Sequence, residues 1–469
     1  MTMQNLRAAC SLRRLPTRSL TRSLTPTLTR SRALIAACAF AFTNVAFNAP
    51  LPAQSAIATL TVDGRASANP SIAAQGAFVA VAFSAATVSS MDIFVATSRD
   101  GGTSFGAPVQ VNRVPGEARV SGEEPPRVVL VPRPGSTPDI VVVWTAKAGA
   151  NWKLLSARST DGGTSFSTSR AVPGSEGDGA RGWQSVAVDA KGRVLVLWLD
   201  HRDLVKADSA HKHTMSATAA PMTMPKGDPT ERAALSQLFF SSLDNTTAPS
   251  TATANANATA TAVRITRSVC YCCKTTLAAN GNSVYAVWRH VYPGSQRDIA
   301  FSKSSDGGRT FAAPQRVSDD HWQIDGCPDN GPALAIDTQR RAHVVWPTPA
   351  DGKDMAALAL FYAVSRDGAP FSARTRIPTR GAASHPQVVI TADGSALVAW
   401  DEVVDGTRRM GMTRVRVDAA GRPTFTPVPA PDAGPKQWYP ALASSETGAL
   451  TAWVRQLDKG SVIGVARVK

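Results

Sequence analysis

The stretch Ser98-Arg-Asp-Gly-Gly-Thr-Ser-Phe105 recurs almost unchanged as STDGGTSF at Ser159–Phe166 and SSDGGRTF at Ser304–Phe311, with a weaker copy, SRDGAPF, at Ser365–Phe371. Degenerate forms follow Asp244 and Asp418. The chemistry of the string is that of a tight hairpin turn. Asp100, Asp161, Asp306 and Asp367 are placed to accept backbone N–H bonds inside the turn, and Gly supplies positive φ. The aromatic residue that follows plugs the hairpin against its neighbour. These aspartates are read as structural.

Outward from each turn the pattern repeats on a larger scale. An apolar strand ends at an aromatic residue at Phe83, Trp144, Trp198, Trp288, Trp346, Trp400 and Trp453. The intervals are 61, 54, 90, 58, 54 and 53, so only the third unit departs from a period near 55 and must hold an insertion, placed at 203–262. A shorter strand precedes each aromatic strand across a Gly, Asn or Asp turn, and a third and a fourth strand follow. Four strands per unit, seven times over and without helical periodicity, predict an all-β fold, a β-propeller of four-stranded antiparallel blades. Seven blades are expected, with six as the alternative. The last unit has room for three strands, and Ala58–Gly64 (ATLTVDG) can supply the fourth and close the ring. One propeller domain is expected over 57–469, with 203–262 as a flexible, low-complexity loop of its third blade.

The turn strings resemble the Asp-box, or BNR repeat, of the sialidase superfamily, and the resemblance covers essentially all of 58–469. It implies a propeller in which the box is a folding device. In a true sialidase it would further imply three arginines for the sugar carboxylate, a Tyr–Glu nucleophile pair and an Asp acid/base. Carried over residue by residue, that pattern is incomplete. The Arg-Ile-Pro at Arg376–Pro378 is late in the chain and in an outer strand, where the family has its motif near the N-terminus. Tyr439, in QWYPAL, resembles the nucleophile's setting. Arg202, Arg289 and Arg455 can face the channel, Glu402 or Glu124 can partner the tyrosine, and Asp325 or Asp329 can serve as acid. The reading is therefore a sialidase-like propeller that departs from a true sialidase, with a glycoside hydrolase of exo-sialidase type as one alternative and an interaction scaffold as another.

Composition narrows the partners. The chain has 469 residues and a formal charge of +15, but residues 1–56 carry seven arginines and no acid, leaving +8 for the remainder. No basic run interleaved with aromatics follows, which argues against nucleic acid. Basic residues up to Arg32, the apolar run Ala33–Ala49 and small residues near Ala56 read as an export signal. Cleavage is expected near 49–56, with lipid anchoring at Cys38 as the alternative. The protein is expected to be periplasmic or secreted, monomeric and without a transmembrane span.

Successive strands alternate direction, so the boxes lie on one face and the lead-in to each first strand on the other. The second face collects Cys270, Cys272 and Cys273 before blade four, Cys327 before blade five, and His201 and His290 after second strands. The four cysteines can form one or two structural disulfides, a thiolate metal site, or a redox-active pair. The insertion adds His211, His213, Met215, Met222 and Met224, and imidazole with thioether ligands suits copper, especially Cu(I). The expectation is a metal, copper in the first place, or an unidentified protein or glycan, bound on the face opposite the boxes.

Overall fold

The computed structural model describes residues 56–149, 151–204, 229–244, 262–324, 328–352 and 357–468. The expected leader lies almost entirely outside these residues, as do Cys327, Asp325, His211, His213, Met215, Met222 and Met224. Among the described residues no helix is long and apolar enough to cross a membrane.

The described chain forms seven four-stranded antiparallel sheets. Blade one comprises Ala66–Gln75, Phe78–Ala86, Met91–Ser98 and Val109–Gln110, and the next five repeat that order. Blade seven is completed from the other end of the chain. Ala58–Leu60 pairs with Ser461–Val468, Ala58 opposite Val465 and Leu60 opposite Ile463. The ring is a seven-bladed propeller closed by its N-terminal strand, as the missing fourth strand of the last unit predicts.

Packing explains why the blades stay together. The buried apolar side chains divide into seven clusters, and each bridges two neighbouring blades. One cluster joins blades one and two through Ala82, Ile93, Val128 and Trp144, and another joins blades seven and one through Val81, Phe83, Leu450 and Ile463. Trp144, Trp198, Trp346 and Trp453 have no exposed surface. Each second strand is buried on both sides, which is why its sequence reads as a continuous apolar run rather than an alternating one.

The turns behave as their chemistry requires. Asp100 Oδ1 accepts the amides of Thr103 and Ser104 at 2.9 and 3.0 Å, while Ser98 Oγ accepts the amide of Gly102 at 2.9 Å. The same bonds recur at Asp161 and Asp306. The fourth copy differs. Asp367 has φ 55° and turns its carboxylate outward to Lys303 Nζ, 2.6 Å away, and to Arg340. A second turn device recurs as Asp-x-x-x-Arg. Asp189, Asp337 and Asp418 each accept the amide of the arginine four residues on and bond its Nε.

The span expected as the third-blade insertion contains ordered elements. A short helix, Pro229–Ala234, leads into Gln237–Ser242, which is the third strand of that blade and pairs with Val194–Asp200. Its Leu-Phe-Phe core was masked in the sequence by the polar, Ala/Thr-rich residues on either side.

First strands carry a further feature that positions the site. In blades one, three, six and seven they are bulged, with the register shifting at Ala68/Ser71, Gly182/Ser185, Ser384/Gln387 and Trp438/Ala441. The bulged residues Asn69, Trp183, His385 and Tyr439 all have φ near +50°. Such strain persists only where surrounding structure holds it. Here side chains from the preceding blade capture three of the amides. Trp183 N donates to Glu124, His385 N to Asn330 and Tyr439 N to Asp401.

Candidate thiol centre and central channel

The lead-in to blade four places three sulfurs in the core between blades three and four. Cys270, Cys272 and Cys273 are all buried, packed with Trp183, Tyr271 and Trp288. Cys270 is fixed at its backbone, its amide donating to Arg289 O at 2.9 Å. Thr275 anchors the segment's other end, donating from Oγ1 to Trp183 O at 2.8 Å. Cys272 is disulfide-bonded. Cys270 and Cys273 are free. The Cys270 and Cys273 sulfurs stand 2.7 Å apart, closer than van der Waals contact, and Cys270 Sγ is 3.8 Å from Cys272 Sγ.

Two guanidinium groups flank this pair. Arg297 is fully buried, with Nη1 3.5 Å from Cys270 Sγ and its guanidinium carbon 5.8 Å from the Tyr271 ring centre. Among the described residues Arg289 donates only to carbonyls, those of Asn330, Arg297 and Pro347. Among the described residues no carboxylate forms a salt bridge with either. A buried cation without an anion is costly. Burial alone would push the Cys270 thiol up, but the bond from Cys273 and the charges of Arg297 and Arg289 carry it down to about 6. Burial pushes the Cys273 thiol well up, reinforced by Cys270. The pair is thus split into one sulfur that favours the thiolate and one that favours the thiol.

The three sulfurs lie within 4.8 Å of one another and form the one His/Cys/Asp/Glu group among the described residues with spacing for a metal ion. With Cys272 in a disulfide, two thiols remain as ligands. His201 and His290 do not join them in these contacts. His201 packs at a tilt against Trp183, with ring centroids 5.6 Å apart, and His290 accepts from Trp288 Nε1 and packs on Tyr292.

The residues suggested by the sialidase resemblance disperse. Arg202 is bound to Asp200 and to Gly174 O, Arg289 to three carbonyls beside the thiols, and Arg455 to Asp432. No partner is common to any two of them. Glu402 is buried but is occupied by Arg380 Nε and by the amides of Arg380 and Gly381. Glu124 is held by Arg119, Thr145 and the Trp183 amide.

Tyr439 borders a small enclosed space, beside residues of which Glu123, Arg127 and Lys274 were not singled out from the sequence. Glu123, Arg127, Lys274, His385 and Tyr439 surround one space. Bonds run across it and around it. Gly331 N donates to Glu123 Oε2 at 2.9 Å, Lys274 Nζ to Pro386 O at 2.7 Å, and His385 Nδ1 lies 2.8 Å from Asp401 Oδ2. Burial lowers Lys274 to about 8, and burial together with Glu123 raises Asp329 to about 6 and Tyr439 to about 12. The free space is about 10 Å³. That is room for about one water molecule, so no sugar ring fits in this conformation.

No family model matches the chain, and no curated protein matches it. Solved structures with a similar course include a protein of unknown function from Dyadobacter fermentans, at 12% identity and TM-score 0.46, covering 88% of this chain and 98% of that one. An alpha-L-arabinanase from Penicillium chrysogenum, complexed with arabinobiose, aligns at 12% identity and TM-score 0.45, covering 87% and 97%. A sialidase from Trypanosoma rangeli, in complex with the inhibitor DANA, aligns at 10% identity and TM-score 0.42, covering 86% and 70%. Strand pairing defines this chain as a seven-bladed β-propeller with Asp-Gly-Gly hairpin turns repeated around the ring.

Proposed function

We propose that the chain is an exported propeller whose working group is the Cys270–Cys273 pair, cycling between two thiols and a disulfide. The observation that carries this reading is the 2.7 Å approach of two free sulfurs beside a buried guanidinium. In the forward step the Cys270 thiolate attacks one sulfur of an external disulfide, and that sulfur's partner leaves as a thiol after taking up a proton. Cys273 then attacks Cys270, loses its proton and releases the second external thiol. Two thiols and one disulfide become one disulfide and two thiols, so atoms and electrons balance. The signal-like N-terminus supports a compartment in which disulfides persist, and the bonded state of Cys272 accords with it.

A second reading is retention of Cu(I) by the same thiolates. It is favoured by the two free thiols of Cys270 and Cys273, buried side by side, and by the softness of thiolate ligands. A bis-thiolate Cu(I) unit carries one negative charge, which Arg297 and Arg289 would balance. The His and Met residues at 211–224 would supply further soft or imidazole ligands under this reading.

The purified protein, equilibrated with graded ratios of reduced to oxidised dithiothreitol, quenched by alkylation and mapped by peptide mass, separates the two. A Cys270–Cys273 link that rises and falls with the buffer ratio in metal-free protein supports the redox reading. One stoichiometric copper per chain, with both thiols protected from alkylation until a chelator is added, supports the second and sinks the first.

A further inference from the structure

Blade six carries a cavity of about 630 Å³, well apart in sequence from the thiol pair. That is the size of a small-molecule site. Unequal strand lengths create it. The third strand of the blade is Thr407–Val417, but the fourth, Pro423–Pro427, pairs with it only from Thr413 onward. The edge of Arg409–Met412 is left to other partners. Val428 N donates to Met412 O at 3.1 Å, and Arg380 Nη2 donates to Met410 O at 3.4 Å. These bonds tie two walls of the cavity, 378–380 and 428–434, to the strand. The lining is mostly apolar and includes Trp400, Phe425, Pro427, Val428, Pro429 and Ala430. Gly411 makes room for the first of these, since a Cβ there would fall 2.4 Å from the Trp400 indole.

Four charged side chains also line the space, and their pairing is uneven. Glu402 stands directly opposite Arg409 in the strand register. Its oxygens are nevertheless taken by Arg380 Nε at 2.7 Å and by the amides of Arg380 and Gly381. Asp432 accepts from Arg455 Nε at 3.1 Å and from the Gly434 amide at 2.8 Å. Each acid thus has its own arginine, and Arg409 is the cation left over. It is half-buried and donates from Nη1 to Ala433 O at 3.1 Å. Among the described residues no carboxylate forms a salt bridge with it. We infer that this cavity binds a small apolar monocarboxylate, with its hydrocarbon body against Trp400 and Phe425 and its carboxylate on Arg409. A planar guanidinium meets a carboxylate through two parallel N–H bonds, and apolar walls strengthen such a pair by keeping water away. One uncompensated positive charge selects one negative charge. The site owes nothing to the thiol chemistry and stands or falls without it.

Isothermal titration of the purified protein tests this with naphthylacetate and with naphthylethanol, a neutral probe of nearly the same shape. The acid should bind once per chain and about tenfold more tightly than the alcohol. Arg409→Met should weaken the acid about tenfold, leave the alcohol unchanged and so erase the preference. Ala430→Trp fills the cavity and should remove binding of both probes. The inference is overturned if the wild type does not bind the acid, if acid and alcohol bind equally, if R409M binds the acid as the wild type does, or if A430W retains acid binding.

Discussion

Arg297 Nη1 stands 3.5 Å from the Sγ of Cys270 in a part of the core where neither side chain is exposed to water. The cation is held by its position at the start of a third strand, just before Asp298 and Ile299, and it meets sulfur where most buried arginines meet a carboxylate.

Replacing Arg297 by Met removes the charge and keeps much of the volume. With that charge gone, the midpoint of thiolate absorbance for Cys270 should lie at least ~1 pH unit higher in R297M than in the wild type. The sign for stability follows. A thiol held below its unfolded value contributes stability that is complete above about pH 9 and is lost as pH falls to about 6. Denaturant unfolding at the two pH values should therefore show a larger drop for the wild type than for R297M. Equal drops would count against the ion pair.

His201 and His290 impose a second pH dependence. Burial lowers each to about 4. A base held below its unfolded value of about 6.5 favours folding above that pH, and the contribution disappears as pH falls to about 4. The melting temperature should decline across this window, and the double variant H201Q/H290Q should flatten the decline.

Ser304 tests the box of blade four. Its Oγ accepts the amide of Gly308, and the residue is buried. Ser304→Ala leaves that amide without its acceptor and should cost about 1–3 kcal/mol in urea unfolding. Gly308→Ala should cost more. The glycine has φ +90°, and an added Cβ would overlap the ring of Phe240 in the neighbouring blade.

Leu60 tests the closure strand. It is 4% exposed and packs into the seam between blades seven and one. Leu60→Ala should cost about 2–5 kcal/mol. Deleting residues 57–61 should go further, exposing the edge of Ser461–Val468 and driving self-association visible by light scattering.

The blades were legible because each carries its own aromatic strand and turn, so a reading of one is checked by the others. The closing strand was legible as a gap in the last unit. The thiol centre was only half legible. Three cysteines within four residues stand out, but Arg297 is one of 50 Lys and Arg residues, and nothing local marks a buried one. The channel contacts escaped notice for a related reason. Glu123 and Gly331 are 208 residues apart and meet only when the ring closes. The arginine set failed on strand periodicity. Arg289 directly follows Trp288, whereas Arg455 lies two residues after Trp453, and alternate residues point to opposite faces. The Asp-x-x-x-Arg turns were visible in the sequence and carried a usable signal, an arginine four residues after the turn aspartate.

The pairing of Ala58 with Val465 also orders events in time. A chain made from its N-terminus has its first strand about 400 residues before that strand's partner exists. Joining ends so far apart carries a loop-closure cost of roughly 5 kcal/mol. The last blade must therefore be nearly formed before the first strand finds it. Until then the nascent ring has two open edges, and that interval is when a protease or a second chain has its best opportunity to intervene.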